Sequence, residues 1–207
     1  MADLDVPFYF ARPTSPVQAG IVVVHEGDGM SLQLLRFSER LAAEGYLVAA
    51  PDLFFRTGGP AAREDYMEQV QEVQPEQMLD DLELAAGALR ASGASRIGVM
   101  GFCMGGVFTW RAAVHRGGFD AAVGFYGVGI ASELGRPRCP TLLFFGRKDP
   151  WIPTDDIDKV VAHHADTIVY PQAGHGFMRD GSEEYVADAA ADAWGRMLAH
   201  FQQHLTA

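Results

Sequence analysis

Two stretches of the chain, IVVV at Ile21–Val24 and TLLFF at Thr141–Phe145, are nearly unbroken apolar runs with no alternation of polar and apolar positions. A strand with one face in water alternates, whereas a strand buried on both faces reads as a continuous apolar run. Burial on both faces needs a layer above and a layer below. Parallel strands joined by crossover helices supply both.

The rest of the chain repeats that plan. After AGIVVVHE comes a helical pattern from about Leu32 to Glu44, with Leu34, Leu35, Phe37, Leu41 and Ala42 apolar and Gly45 closing it. YLVAAP reads as a second buried strand, and DLFFRTGGPAARED reads as a turn-rich excursion. From Pro75 the spacing of Leu79, Leu82, Ala86 and Leu89 predicts a helix, and RIGVMG resumes as a strand. A helix to about Arg116, the strands AAVGFYG and TLLFFG, a helix near Asp155 to His164, the strand TIVYP and a terminal helix from about Glu183 complete the series. The expectation is an α/β fold, a mainly parallel central sheet with helices on both faces, built as a single domain over residues 1–207.

Charge and composition then narrow the function. A formal charge of −11, with no basic run, disfavours a nucleic-acid partner, because such affinity comes from Lys and Arg neutralising phosphates. No run of eighteen or more uncharged apolar residues appears, and the start MADLDVPFYF lacks a signal-peptide pattern, so no membrane partner and a cytoplasmic location are expected. The two cysteines, Cys103 and Cys139, form no C-x-x-C or Cys/His ligand spacing. Reduced thiols and no metal are expected. Neither phosphate-cradling glycine motif is present.

The segment IGVMGFCMGGVFTW places Cys103 between a strand and a helix, with Gly101 two residues before and Gly105 two after. This G-x-C-x-G spacing is the nucleophile elbow with cysteine in place of serine. Small residues at those positions let strand and helix approach while the nucleophile is held in a sharp turn. The helix N-terminus favours negative charge, and the Met104 N–H points toward it as an oxyanion donor. A nucleophile of this kind needs a base and an orienting carboxylate, in the chain order nucleophile, acid, histidine. Asp149 in GRKDPWIP follows one strand, and His175 in AGHGF follows another. Both stand at strand carboxyl ends, where open α/β sheets place their sites. The other histidines lack that setting: His25 merely adjoins a candidate site loop. Cys139, before Pro140 at the start of a strand, is assigned to structure at the opposite end of the sheet.

Taken together, GFCMGG, FYGVG, GRKDPWIP and AGHGF, with PDLF and HEGDG upstream, resemble the dienelactone hydrolase family of α/β-hydrolases, from about Ile21 to the terminal helix. The resemblance implies an α/β-hydrolase fold and a Cys103, His175, Asp149 triad acting on a lactone or ester carbonyl without metal or organic cofactor. It also implies that Glu26 takes the cysteine proton when substrate displaces its arginine partner. Two arginines bind the substrate carboxylate in that family, and Arg63 and Arg179 stand in matching places, with Arg56 competing for the first. Arginine suits the task because its planar fork offers a carboxylate two hydrogen bonds.

One departure concerns the pocket. Family members that hydrolyse dienelactone carry a bulky apolar residue after the glutamate, where Gly27 and Asp28 stand here. Gly27 offers a second oxyanion N–H, while Asp28 brings negative charge toward a bound carboxylate. The expected function is hydrolysis of a dienelactone-like carboxylated lactone by a monomer. The alternatives are a general carboxylesterase or thioesterase and, from another class, a binding or redox-sensing protein whose Cys103 is modified without turnover. The short N-terminus further suggests a missing or shifted edge strand.

Overall fold

The computed structural model describes residues 6–58 and 66–206. Seven strands form one sheet in the order β1-β3-β2-β4-β5-β6-β7, parallel throughout except for β1 at the edge. They are β1 (Phe8–Ala11), β2 (Ala19–Val24), β3 (Tyr46–Pro51), β4 (Ile97–Phe102), β5 (Ala121–Phe125), β6 (Thr141–Gly146) and β7 (Thr167–Tyr170). Every residue of β2 to β6 is buried, as the continuous apolar runs require. Side chains alternate between faces along a strand. Ile21 and Val23 therefore enter one core layer, while Val22 and Val24 enter the other.

Helix α1 (Leu32–Ala43) supplies Leu34, Phe37 and Leu41 to the first layer, and α6 (Ala187–Leu205) adds Ala193, Met197 and Phe201. Helix α3 (Pro75–Ala91) and helix α4 (Met104–His115) cover the opposite face through Leu79, Leu82, Phe108 and Ala112. Helix α1 starts at Ser31, whose hydroxyl accepts the Leu34 N–H at 3.3 Å. Proline at the first position of α3 gives up only an N–H that has no partner inside the helix. Helix α5 (Thr154–His163) packs Ile157 and Val160 beside β7.

Three features depart from expectation. An edge strand is present: β1 pairs antiparallel with β3, Phe8 opposite Pro51. Helix α2 (Tyr66–Glu72) follows the turn-rich excursion, which ends at Asp65, in a stretch before Pro75 to which the sequence reading assigns no element. The terminal helix begins at Ala187 rather than near Glu183. The preceding backbone is used in turns, with the Tyr185 N–H donating to Ser182 and the Val186 N–H to Phe177. No helix among the described residues is long and apolar enough to cross a membrane.

Candidate active site

The parallel register brings the carboxyl ends of β2, β4, β6 and β7 to one edge of the sheet, and each leads into one part of the site. Cys103 is the first residue after β4 and the N-cap of α4, at φ 52° and ψ −116°. A non-glycine residue rarely adopts positive φ, and one that does at a strand-to-helix turn marks a conformation enforced by its surroundings. The Cys103 N–H donates to the Phe125 carbonyl at 3.0 Å, which pins the turn to β5. The flanking glycines are required sterically. A Cβ on Gly101 would lie 2.3 Å from the Gly105 carbonyl oxygen, and one on Gly105 would lie 2.3 Å from that of Val24.

Asp149 and His175 meet from neighbouring strand ends. The loops after β6 and β7 are tied by the Arg147 N–H to Tyr170 and the Lys148 N–H to Ala173, both at 2.9 Å. Asp149 Oδ1 accepts the N–H groups of Trp151 at 2.8 Å and Ile152 at 3.2 Å, leaving Oδ2 for His175 Nδ1 at 2.8 Å. A carboxylate can only accept, so Nδ1 carries the proton it donates, and Nε2 is the atom left for the thiol. Trp151 stacks on the imidazole at 4.6 Å between ring centres, and Tyr126 flanks it at 4.9 Å. No hydrogen bond of normal geometry reaches Nε2 among the described residues. The Cys103 sulfur interacts with the ring more loosely. Burial disfavours the imidazolium, but the bond to Asp149 and the proximity of Cys103 outweigh it and raise the His175 pKa to about 9.

Glu26 lies beyond β2 and is buried. Its Oε1 accepts the Tyr126 hydroxyl at 3.0 Å, and its Oε2 accepts Arg179 Nε at 2.5 Å together with an Nη2–H of the same guanidinium. Burial pushes the Glu26 pKa up against the opposing pull of Arg179. Burial likewise raises the Tyr126 hydroxyl well above its ordinary value, reinforced by the Glu26 charge. Asp28 stands 3.6 Å from the same guanidinium, so Arg179 faces two carboxylates.

Arg56 makes a bidentate pair with Asp81 of α3, at 2.5 and 2.9 Å, which ties it to the α3 face. Arg63 lies outside the described residues. Cys139 is partly buried against the α3 and α4 core layer, just before β6, where burial raises its thiol pKa. The Met104 and Gly27 N–H groups make no hydrogen bond among the described residues. No group of three or more His, Cys, Asp or Glu that could hold a metal occurs among the described residues.

Two cavities open on either side of Cys103, sharing Gly27 and Trp151. One, of about 630 Å³, is lined by His175, Arg179, Asp28, Glu183 and Glu184. The other, of about 760 Å³, is lined mainly by apolar side chains, including Val70, Val73, Met104, Phe108 and Val128. Tyr126 and Trp151 escape a motif reading. Tyr126 carries a recognisable signal only in the FYG at the end of β5, and the structure places it at φ 37°.

A parallel sheet with this strand order, an elbow cysteine after β4 and an aspartate and histidine after β6 and β7 define an α/β-hydrolase. The chain belongs to the dienelactone hydrolase family, whose profile matches residues 6–205. A Salmonella typhimurium protein assigned as a carboxymethylenebutenolidase is 35% identical, with 97% of this chain and 83% of that protein aligned. Carboxymethylenebutenolidase from Pseudomonas putida is 30% identical over 91% of this chain and 86% of its own. A crystal structure from Klebsiella pneumoniae, assigned as a dienelactone hydrolase, superposes with a TM-score of 0.87 at 33% identity, covering 96% of this chain and 93% of that one. The protein is a hydrolase of ester or lactone bonds.

Proposed function

We propose that this single-domain protein, working as a cytoplasmic monomer, hydrolyses a dienelactone-like carboxylated lactone through Cys103. The observation that carries the reading is the strained Cys103 at the N-terminus of α4 beside a histidine whose other nitrogen is bound to Asp149. The Cys103 thiolate attacks the carbonyl carbon, and the carbonyl oxygen takes up the electron pair under the Met104 and Gly27 N–H groups. Collapse of that intermediate expels the ring oxygen, which takes the Nε2 proton of the His175 imidazolium as it leaves, so that a thioester and a neutral His175 remain. His175, oriented by Asp149, then takes a proton from water. The resulting hydroxide cleaves the thioester and returns the thiolate.

Glu26 and Arg179 add a charge-dependent step. A substrate carboxylate binding Arg179 displaces Glu26, and the freed carboxylate, whose pKa burial has raised, accepts the Cys103 proton. Arg63 is proposed as a second cation for the substrate. The first cavity in this reading holds the carboxylated end.

A second reading, a general esterase or thioesterase for uncharged substrates, is favoured by the apolar cavity on the other side of Cys103 and by Asp28 beside Arg179. A kinetic panel of a carboxylated dienelactone, its methyl ester and a neutral aryl ester separates the two. The lactone reading expects Arg179→Ala to raise KM for the anionic lactone at least tenfold more than for the neutral ester. Equal effects on both substrates give the second reading, and turnover that survives Cys103→Ala refutes both.

A further inference from the structure

His25 has no place in the reaction described above, yet it is fully buried, one residue before Glu26. Its Nε2 lies 3.1 Å from the Leu53 backbone nitrogen, whose N–H can only donate, so Nε2 accepts and carries no proton. The single ring proton of the neutral imidazole therefore sits on Nδ1 and is donated to the Glu26 carbonyl at 2.6 Å. Burial lowers the His25 pKa, against the raising influence of the Glu26 carbonyl and the Asp52 and Asp28 carboxylates, and so maintains the neutral ring. Phe54 packs against that ring at 4.8 Å between centres.

The Glu26 carbonyl and the Gly27 N–H are the two ends of one peptide unit. That unit is planar and trans, so its carbonyl and its N–H point in opposite directions, and whatever holds the oxygen sets the direction of the hydrogen. The Gly29 N–H also reaches the Glu26 carbonyl, at 3.1 Å, but it belongs to the same turn and moves with it. The bond through His25 is different in kind. It runs on to Leu53, in the turn that leaves β3, and so references the peptide to a neighbouring strand of the sheet.

Resting on the reading that Gly27 is an oxyanion donor for attack by Cys103, we infer that His25 is a positioning residue: by bridging the Glu26 carbonyl and the Leu53 N–H, it aims the Gly27 N–H at the developing oxyanion. Its contribution appears in the transition state and not in substrate binding, because the N–H it aims meets full negative charge only there.

The experiment compares wild type, His25→Leu and His25→Gln on p-nitrophenyl acetate, with Cys103→Ala as the control for the reaction itself. Leucine keeps apolar bulk and loses both hydrogen bonds, whereas the glutamine amide can donate to one group and accept from the other. His25→Leu is expected to lower kcat about 10²-fold, the scale of one misaimed oxyanion donor, with KM within about twofold. His25→Gln is expected to recover most of that loss. Affinity for a trifluoromethyl ketone, which forms a tetrahedral adduct with the thiolate, is expected to fall in step with kcat/KM across the three proteins. A folded His25→Leu enzyme with unchanged kcat overturns the inference. So does a folded His25→Gln enzyme no faster than the leucine variant, which also decides the matter if leucine prevents folding. Wild-type turnover that Cys103→Ala abolishes while His25 variants keep full kcat leaves the proposed reaction intact and removes only the role of His25. Absence of Cys103-dependent turnover removes both.

Discussion

Gly105→Ala tests whether close approach at the elbow is what holds the thiol in place. A Cβ at this position would sit 2.3 Å from the Val24 carbonyl oxygen and 2.7 Å from that of His25. Both obstacles are backbone at the end of β2, so no flexible side chain can swing aside. Restoring ordinary van der Waals contact needs a separation of at least 3.4 Å, so the N-terminus of α4 and the end of β2 must part by about 1 Å. Overpacking of this kind costs about 1–3 kcal/mol, which for a chain of this size lowers Tm by roughly 2–12 °C. The same displacement carries the Met104 N–H away from the Gly27 N–H, the two donors proposed to share one oxygen. Misplacement of reacting groups by about 1 Å costs around 10²-fold in rate. The assay is kcat/KM on p-nitrophenyl acetate together with calorimetric melting. Gly87→Ala, at an exposed position of α3 where an added Cβ meets nothing within 4 Å, is the control, and it is expected to be neutral or to stabilise by up to about 1 kcal/mol. Wild-type activity and melting for Gly105→Ala would refute the claim that the elbow is sterically determined.

Two further outcomes follow from the charges around the site. His175 has a folded pKa raised to about 9, above an unfolded value of about 6.5, so its contribution to stability is complete below pH ~6.5 and is lost as pH rises through about 9. Urea unfolding between pH 6 and 10 is expected to show a loss of roughly 3 kcal/mol in wild type that is absent from His175→Gln; parallel curves for the two proteins would count against the ion-pair account. Tyr126→Phe deletes the hydroxyl that Glu26 Oε1 accepts at 3.0 Å and leaves that oxygen buried without its partner. Urea unfolding is expected to show a loss of about 1–3 kcal/mol at an unchanged m value, and a variant as stable as wild type would show that the hydroxyl is dispensable.

The parts legible in the sequence share a physical origin. Strands buried on both faces leave apolar runs, and glycines demanded by contacts near 2.3 Å leave a fixed spacing around Cys103, so the sheet, the turn at Cys103 and the positions of Asp149 and His175 after strand ends could be read without coordinates. Helix α2 and strand β1 could not. Both are short, and β1 is only partly buried at a sheet edge, so its pattern FYFA carries little periodicity. The contacts of His25, Tyr126 and Trp151 were hidden for another reason. Each depends on which atom faces which across elements distant in sequence: Tyr126 reaches Glu26 a hundred residues away, and His25 reaches Leu53 from the neighbouring strand. Arg179 is singled out by the family resemblance, four residues after His175, but its engagement by both Glu26 and Asp28 emerges only when the segments that follow β2 and β7 meet beyond the carboxyl edge of the sheet.

That double engagement bears on how the site distinguishes substrates. A buried carboxylate is tolerated only when paired and hydrogen-bonded, and Glu26 meets the condition through Arg179 on one oxygen and Tyr126 on the other. A substrate that draws Arg179 away leaves Glu26 with a single neutral partner in a buried setting, where taking up a proton is the least costly response. The Cys103 thiol is the group from which the reaction needs a proton removed. In the proposed mechanism an anionic substrate therefore changes the protonation of its own attacker, whereas a neutral ester in the apolar cavity leaves the Glu26–Arg179 pair closed and relies on thiolate formed with His175 alone. Asp28 moderates the difference: at 3.6 Å it keeps a carboxylate near Arg179 and must be displaced or screened before a second anion settles there. Asp28→Asn removes that competing charge without touching Glu26, so it is the substitution that should widen the preference for the anionic lactone over the neutral ester.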